Sequence, residues 1–210
     1  MKSVLIANTK GGCGKTTIAT SLAAAFANWG LDTALADADP QRSSLDWLAG
    51  RPSSAAPIQG LDWSKRIKPP PAGTARLVVD SAAAVKKADL RELIRAADTV
   101  IIPVLPSALD LNATMAFLKE FRHLKPIRKR KRPFALVRNR CRPGSRAVRR
   151  LDDALMLKEA VDVGWLTDRS LYNEVAWKGL SVFDLHSKPA VEIQQDWIPI
   201  VRFVENQGSV

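Results

Sequence analysis

The chain has 210 residues, 46% of them hydrophobic, which is enough for one well-buried core and short for two. No apolar run approaches the roughly 18 residues of a membrane span, and the N-terminus leads into a strand-like segment rather than a cleavable signal, so a cytoplasmic protein is expected. Cys13 and Cys141 stand far apart, which excludes a disulfide framework and a cysteine-built zinc site. The net charge of +11 is local: residues 125–150 hold twelve Lys or Arg and no Asp or Glu, against 20 basic and 21 acidic residues elsewhere.

Residues 3–8 (SVLIAN) form a short continuous apolar run, the pattern of a parallel strand buried on both faces. A glycine-rich loop follows, then a helix of small residues over about 16–29, with Gly30 placed to stop it. Further strands are predicted at 33–37 (TALAD), 76–80 (RLVVD), 99–104 (TVIIPV) and 134–138 (FALVR). The Pro-, Ala- and Ser-rich stretch 53–73 reads as an irregular connection. Asp89 is placed to cap a helix over LRELIRAA, residues 111–124 carry apolar side chains at helical spacing, and Ser145 is placed to cap a helix over about 146–160. A last helix is expected over 189–205. Strands alternating with helices predict an α/β fold: one domain over residues 1–210, with a mostly parallel sheet covered by helices on both faces. The six tryptophans read as core or rim packing.

The loop after the first strand, TKGGCGKTT, approximates the phosphate-binding pattern G-x-x-x-x-G-K-[ST], with Thr9 where the first glycine belongs and a second lysine, Lys10, beside it. Gly11, Gly12 and Gly14 let backbone N–H groups curl around phosphate oxygens, and the following helix directs its positive end at the same anions. Lys15 is positioned to reach the β- and γ-phosphates, and the Thr16 hydroxyl to ligate Mg²⁺. The fold class expected is therefore a P-loop NTPase. Cys13 fills a slot in the loop and reads as a small packing residue.

KGGCGKTT (residues 10–17), DADPQ (37–41) and LVVDSA (77–82) together resemble the deviant Walker A family of partition ATPases, which includes ParA, ParF and the septum-positioning MinD. The resemblance extends to PVLPSALD (103–110) and GLSVFD (179–184), and so covers most of the chain. It implies ATP and Mg²⁺ as cofactors and a weak, partner-stimulated ATPase. It also implies a homodimer closed around two ATP molecules, in which Lys10 reaches across to the neighbour's phosphates while Lys15 serves its own subunit. By the same resemblance Asp39 orients the attacking water and contributes near the metal, Asp80 holds Mg²⁺, Thr17 belongs to the nucleotide loop with Lys10–Thr16, and Asn139 contacts adenine. Asp37 opens the same switch segment, where capping the next element is an equal explanation.

The basic segment, with Arg128, Lys129, Arg130, Lys131 and Arg132 followed by Arg138, Arg140, Arg142, Arg146, Arg149 and Arg150, is suited to neutralising backbone phosphates without reading bases. Nonspecific double-stranded DNA is the expected partner, nucleoid association the expected location, and a ParB-like or other adaptor the expected stimulator of hydrolysis. The chain opens at its first strand, and no separate operator-reading module is expected. Two other classes share the scaffold. A MinD-like membrane-surface protein carries a basic amphipathic C-terminal helix, whereas DWIPIVRFVENQGSV has one arginine, an interrupting proline and two acids, so no membrane association is expected. A metabolic phosphate-transferring enzyme needs a second-substrate constellation that the sequence does not display.

Overall fold

A computed structural model describes residues 1–129, 131–156 and 161–206. Among these residues seven strands pair in parallel throughout: β1 (Lys2–Ile6), β2 (Thr33–Asp37), β3 (Gln59–Asp62), β4 (Arg76–Asp80), β5 (Thr99–Val104), β6 (Phe134–Cys141) and β7 (Val161–Thr167). Their order across the sheet is β3-β2-β4-β1-β5-β6-β7. Because successive strand side chains point to opposite faces, Val4 and Ile6 enter one core while Leu5 and Ala7 enter the other. Both faces are covered, which is why the strands read as continuous apolar runs rather than alternating ones.

The first face is packed by α1 (Lys15–Asn28), α7 (Leu171–Ala176), α8 (Lys188–Gln195) and α9 (Ile198–Glu205). The second is packed by α3 (Lys87–Ala96), α4 (Ala108–Arg122), α5 (Lys125–Arg128) and α6 (Arg146–Met156). Ala19, Ala23, Ala24 and Ala25 of α1 are fully buried, so their small side chains let this helix lie close against the sheet. Gly30 ends it as expected: at φ 74° its N–H donates to the Ala27 carbonyl and that of Leu31 to the Phe26 carbonyl. A seven-residue helix, α2 (Ser43–Ala49), follows β2.

Several expectations need correction. The connection expected to be irregular contains β3, which lacks β-branched residues and is drawn into the sheet by its pairing with β2. Gly60 permits this, because a Cβ there would lie 2.9 Å from Leu48 and 3.0 Å from Leu45. Strand β7 was not anticipated, although Val161, Val163 and Trp165 carry the period-two signal. The fifth predicted strand runs on to Cys141. Asp89 sits in the first turn of α3 and does not cap it; Lys86 is the N-cap and supplies no side-chain bond. Ser145 does accept from the Val148 N–H, at 3.3 Å, and residues 157–160 of that predicted helix lie outside the described residues. The single C-terminal helix is two, because Pro199 has no N–H to continue the first ladder. At the break Trp197 turns fully into the core and donates its indole N–H to the Tyr172 hydroxyl at 2.9 Å. Trp177, by contrast, is 90% exposed and is not a packing residue.

Candidate nucleotide site

In open parallel sheets a ligand sits beyond the carboxyl ends of the strands, where neighbouring connections leave for opposite faces. Here β1 sends its chain to α1 on one face, while adjacent β4 and β5 send theirs to α3 and α4 on the other. The loop between β1 and α1 occupies that point, and fully buried Asn8 fixes its start. The Asn8 carboxamide accepts from the Lys10 N–H at 3.0 Å and donates to the Pro103 carbonyl at 2.8 Å and the Thr114 hydroxyl at 3.1 Å.

Gly14 is required twice over. Its φ of 93° lies in the left-handed region, and a Cβ would fall 2.1 Å from Asn139 Nδ2. Asn139, at the carboxyl end of β6, donates that nitrogen to the Cys13 carbonyl at 2.8 Å, so its amide braces the loop. Cys13 is buried, its Sγ lies 3.2 Å from the Lys10 carbonyl, and burial raises its thiol pKa; it packs, as expected. Lys15 is also buried, and its Nζ donates to the Lys10 carbonyl at 3.2 Å.

Asp80 ends β4 beside this loop, 1% exposed, with the Thr16 hydroxyl close enough to ease the charge on its carboxylate. Its Oδ1 has no hydrogen-bond partner among the described residues. Its pKa is pushed up to about 7, first by burial and further by Asp37 and Asp39, against the partial relief of Thr16 and Lys15. A buried, orphaned carboxylate oxygen adjoining a threonine hydroxyl fits a hard divalent cation such as Mg²⁺, which takes oxygen ligands and keeps several waters.

The switch segment is organised by Asp37. Fully buried, it accepts from the Asp39 N–H at 2.9 Å through Oδ1, and from the Ser44 N–H at 2.9 Å and hydroxyl at 2.6 Å through Oδ2. Asp37 therefore ties down the start of α2, and the capping explanation describes what it does. Half-buried Asp39 accepts the Gln41 N–H through Oδ1 alone among the described contacts.

Lys10 stands at the surface of the loop, its Nζ 3.1 Å from Asp110 Oδ1 at the start of α4. Asp110 is held in turn by Ser107, whose hydroxyl caps α4; the Ser107 hydrogen bond, followed by Lys10, keeps its carboxyl below the ordinary range. The Lys10–Asp110 pair and the Asn8 anchor were missed as site features. The Ser-x-x-Asp capping spacing at 107–110 was the available signal.

The basic segment is one block in sequence and two surfaces in space. Strand β6 has eight residues, about 26 Å at a strand's rise, and it runs parallel to β1 by way of β5. Exposed Arg128, Lys129 and Lys131 and half-buried Arg132 thus lie at the end of the sheet remote from the phosphate loop. Exposed Arg140, Arg142, Arg146, Arg149 and Arg150 lie at the loop's end. Arg138 belongs to neither: it pairs with Asp152 and Asp162 and lies over the Trp165 ring, 5.1 Å from its centroid. Arg142 pairs with Asp168 at 3.0 Å but stays 80% exposed. Arg130 lies outside the described residues.

A glycine loop at the switch point of a doubly covered parallel sheet, holding a buried lysine and a threonine beside a strand-end aspartate, defines a P-loop nucleotide-binding protein. The chain belongs to the CobQ/CobB/MinD/ParA nucleotide-binding domain family, whose profile matches residues 4–169. It is 32% identical over 199 residues to the maintenance of carboxysome distribution protein A of Halothiobacillus neapolitanus, covering 89% of this chain and 88% of that one. Its fold is shared with a Borrelia burgdorferi plasmid partition protein solved with AMPPNP, at TM-score 0.72, 17% identity, and 96% and 98% coverage of the two chains. A Cyanothece McdA(D38A)–ATP complex is equally similar, at TM-score 0.72, 16% identity, and 100% and 98% coverage.

Proposed function

We propose that this chain is an ATP-driven positioning switch: a weak ATPase that dimerises around ATP and Mg²⁺, rides nonspecifically on DNA, and is released when an adaptor stimulates hydrolysis. The observation that carries the reading is the loop itself, where two lysines face different ways. Lys15 turns inward onto the Lys10 carbonyl, while the Lys10 ammonium stands outward, held among the described residues by Asp110 alone.

Bound nucleotide gives Lys15 a stronger acceptor than a single carbonyl, since phosphate bonds to an ammonium are charge-assisted. Thr16 and Asp80 would hold Mg²⁺, which supplies charge neutralisation at the transferring phosphoryl group. Asp39, with an oxygen to spare beside the loop, orients the attacking water. Lys10, leaving Asp110 for the neighbour's phosphates, makes closure depend on γ-phosphate charge, so hydrolysis loosens the dimer. A dimer also doubles the basic surfaces offered to one duplex, which raises avidity and steepens salt dependence. The extent of the match to the carboxysome-distribution relative supports a protein assembly as cargo.

Size-exclusion chromatography of Asp39→Ala with and without ATP tests the switch, with duplex binding followed across a salt series. A dimer that appears only with ATP and Lys10, and binds DNA only in that state, is expected. A persistent monomer in ATP, or equal DNA binding by Lys10→Ala, overturns the reading.

A further inference from the structure

A cavity of about 530 Å³ opens between the two segments that carry the site's aspartates. Ala38 and Pro40, on either side of Asp39, form one wall, and Ala84 and Val85, just past Asp80, form another. Trp63, which follows edge strand β3, contributes a third and is 4% exposed.

Charge around the cavity is unbalanced. Exposed Lys65, Arg66 and Lys86 line it, and none of the three forms an ion pair among the described residues. Lys86 begins α3 without a side-chain cap, so the open N–H groups of that helix add positive potential. Two acids share the lining: Glu92, paired with Arg95, and Asp89 in the first turn of α3. Apolar surface completes it, with Leu93 buried inside and Ile67 40% exposed beside the cations.

We propose that this cavity is a docking site for an acidic, extended peptide segment of a partner protein, with carboxylates on Lys65, Arg66 and Lys86 and an apolar side chain on Ile67, Val85 and Leu93. The volume suits a few residues of such a segment. Among the described residues β3 pairs with β2 alone, which leaves its outer edge open for strand addition. A concave, apolar-floored site favours a peptide over duplex DNA, whose phosphates lie on a convex surface. Occupancy touches the flanks of Asp39 and the residues after Asp80 together, which connects partner binding to the switch. That consequence rests on the function proposed above; the docking itself does not.

The test uses the full chain and an array of labelled ten-residue peptides of Asp, Glu, Leu and Ile, with lysine-substituted counterparts and a labelled duplex as controls, read by fluorescence anisotropy. Acidic members are expected to bind, and Lys65→Glu with Arg66→Glu to weaken them at least about tenfold. Circular dichroism and labelled-ATP binding, unchanged in the charge variants, show that fold and nucleotide site persist, so failure of the dock is distinguishable from failure of the switch. The proposal is overturned if no acidic peptide binds more tightly than about 1 mM, if the charge variants leave peptide binding intact, or if they abolish duplex binding while the acidic peptides remain unbound.

Discussion

Replacing Asp80 with asparagine removes a charge that is held, in the absence of a cation, against the cost of burial. Its pKa rises from 3.8 to about 7 because burial, then Asp37 and Asp39, disfavour the carboxylate. An acid with a raised folded pKa binds its proton more tightly in the folded state than in the unfolded one. The resulting stability is fully present below the unfolded pKa, declines through the window from about 4 to 7, and is gone above it. The whole shift corresponds to on the order of 4 kcal/mol at 1.36 kcal/mol per pH unit. Between pH 8 and pH 6 the recoverable part is about 1.4 kcal/mol. Urea denaturation of wild type and Asp80→Asn in EDTA, at pH 6 and pH 8, reads this directly. The wild type should gain about 1.4 kcal/mol relative to the variant on going to pH 6. At pH 8 the variant should be the more stable protein. Added Mg²⁺ should stabilise only the wild type at pH 8, since the cation takes the ionised carboxylate. Parallel pH dependence of the two proteins would refute the assignment of a raised Asp80 and with it the metal-ready site.

Asp110→Ala releases Lys10 from a partly exposed ion pair, so it should change unfolding free energy by less than about 1 kcal/mol yet lower the ATP concentration needed for half-maximal dimerisation; light scattering across an ATP titration decides. Gly179 has φ 63° and approaches Gly50 so closely that a Cβ would meet backbone atoms at 2.3–2.4 Å. Gly179→Ala should therefore cost roughly 2 kcal/mol or more in a urea titration. Arg51 and Asp184 form a buried pair at 2.6 Å that joins the end of α2 to the 3-10 turn Val182–Asp184. Burial alone would raise the Asp184 pKa, but bonds from Arg51 and Asn28 outweigh it and hold the carboxyl below its ordinary value. Its stabilisation is present above the unfolded pKa of an aspartate and lost as pH falls through the lower folded value. Arg51→Met should cost about 3–5 kcal/mol at neutral pH by stranding the buried carboxylate, and thermal unfolding followed by circular dichroism measures it.

The sequence by itself determined the loop, the central strands and their helices. These depend on local requirements that leave local marks: a left-handed Gly14, a small-residue helix stopped by Gly30, and apolar runs for strands buried on both faces. It also named Lys15 and Thr16 as candidates, because residue types at fixed spacing after a strand restrict the chemistry, and Lys10, Asp39 and Asp80 through the family resemblance that those motifs carry. What it left open depended on partners distant in the chain. β3 exists because β2 pairs with it, and QGLD carries no strand signal of its own. Asp110 holds Lys10 across 100 residues and Asn139 braces Cys13 across 126; the Ser-x-x-Asp spacing marks Asp110 as part of the α4 cap, but no local pattern names either residue's distant partner. The basic segment shows the same limit from the other side, since a single run of charge is divided by the length of β6. Only the tertiary structure decided which charges stand together, because electrostatic neighbours are set by strand order and helix packing rather than by proximity in the chain.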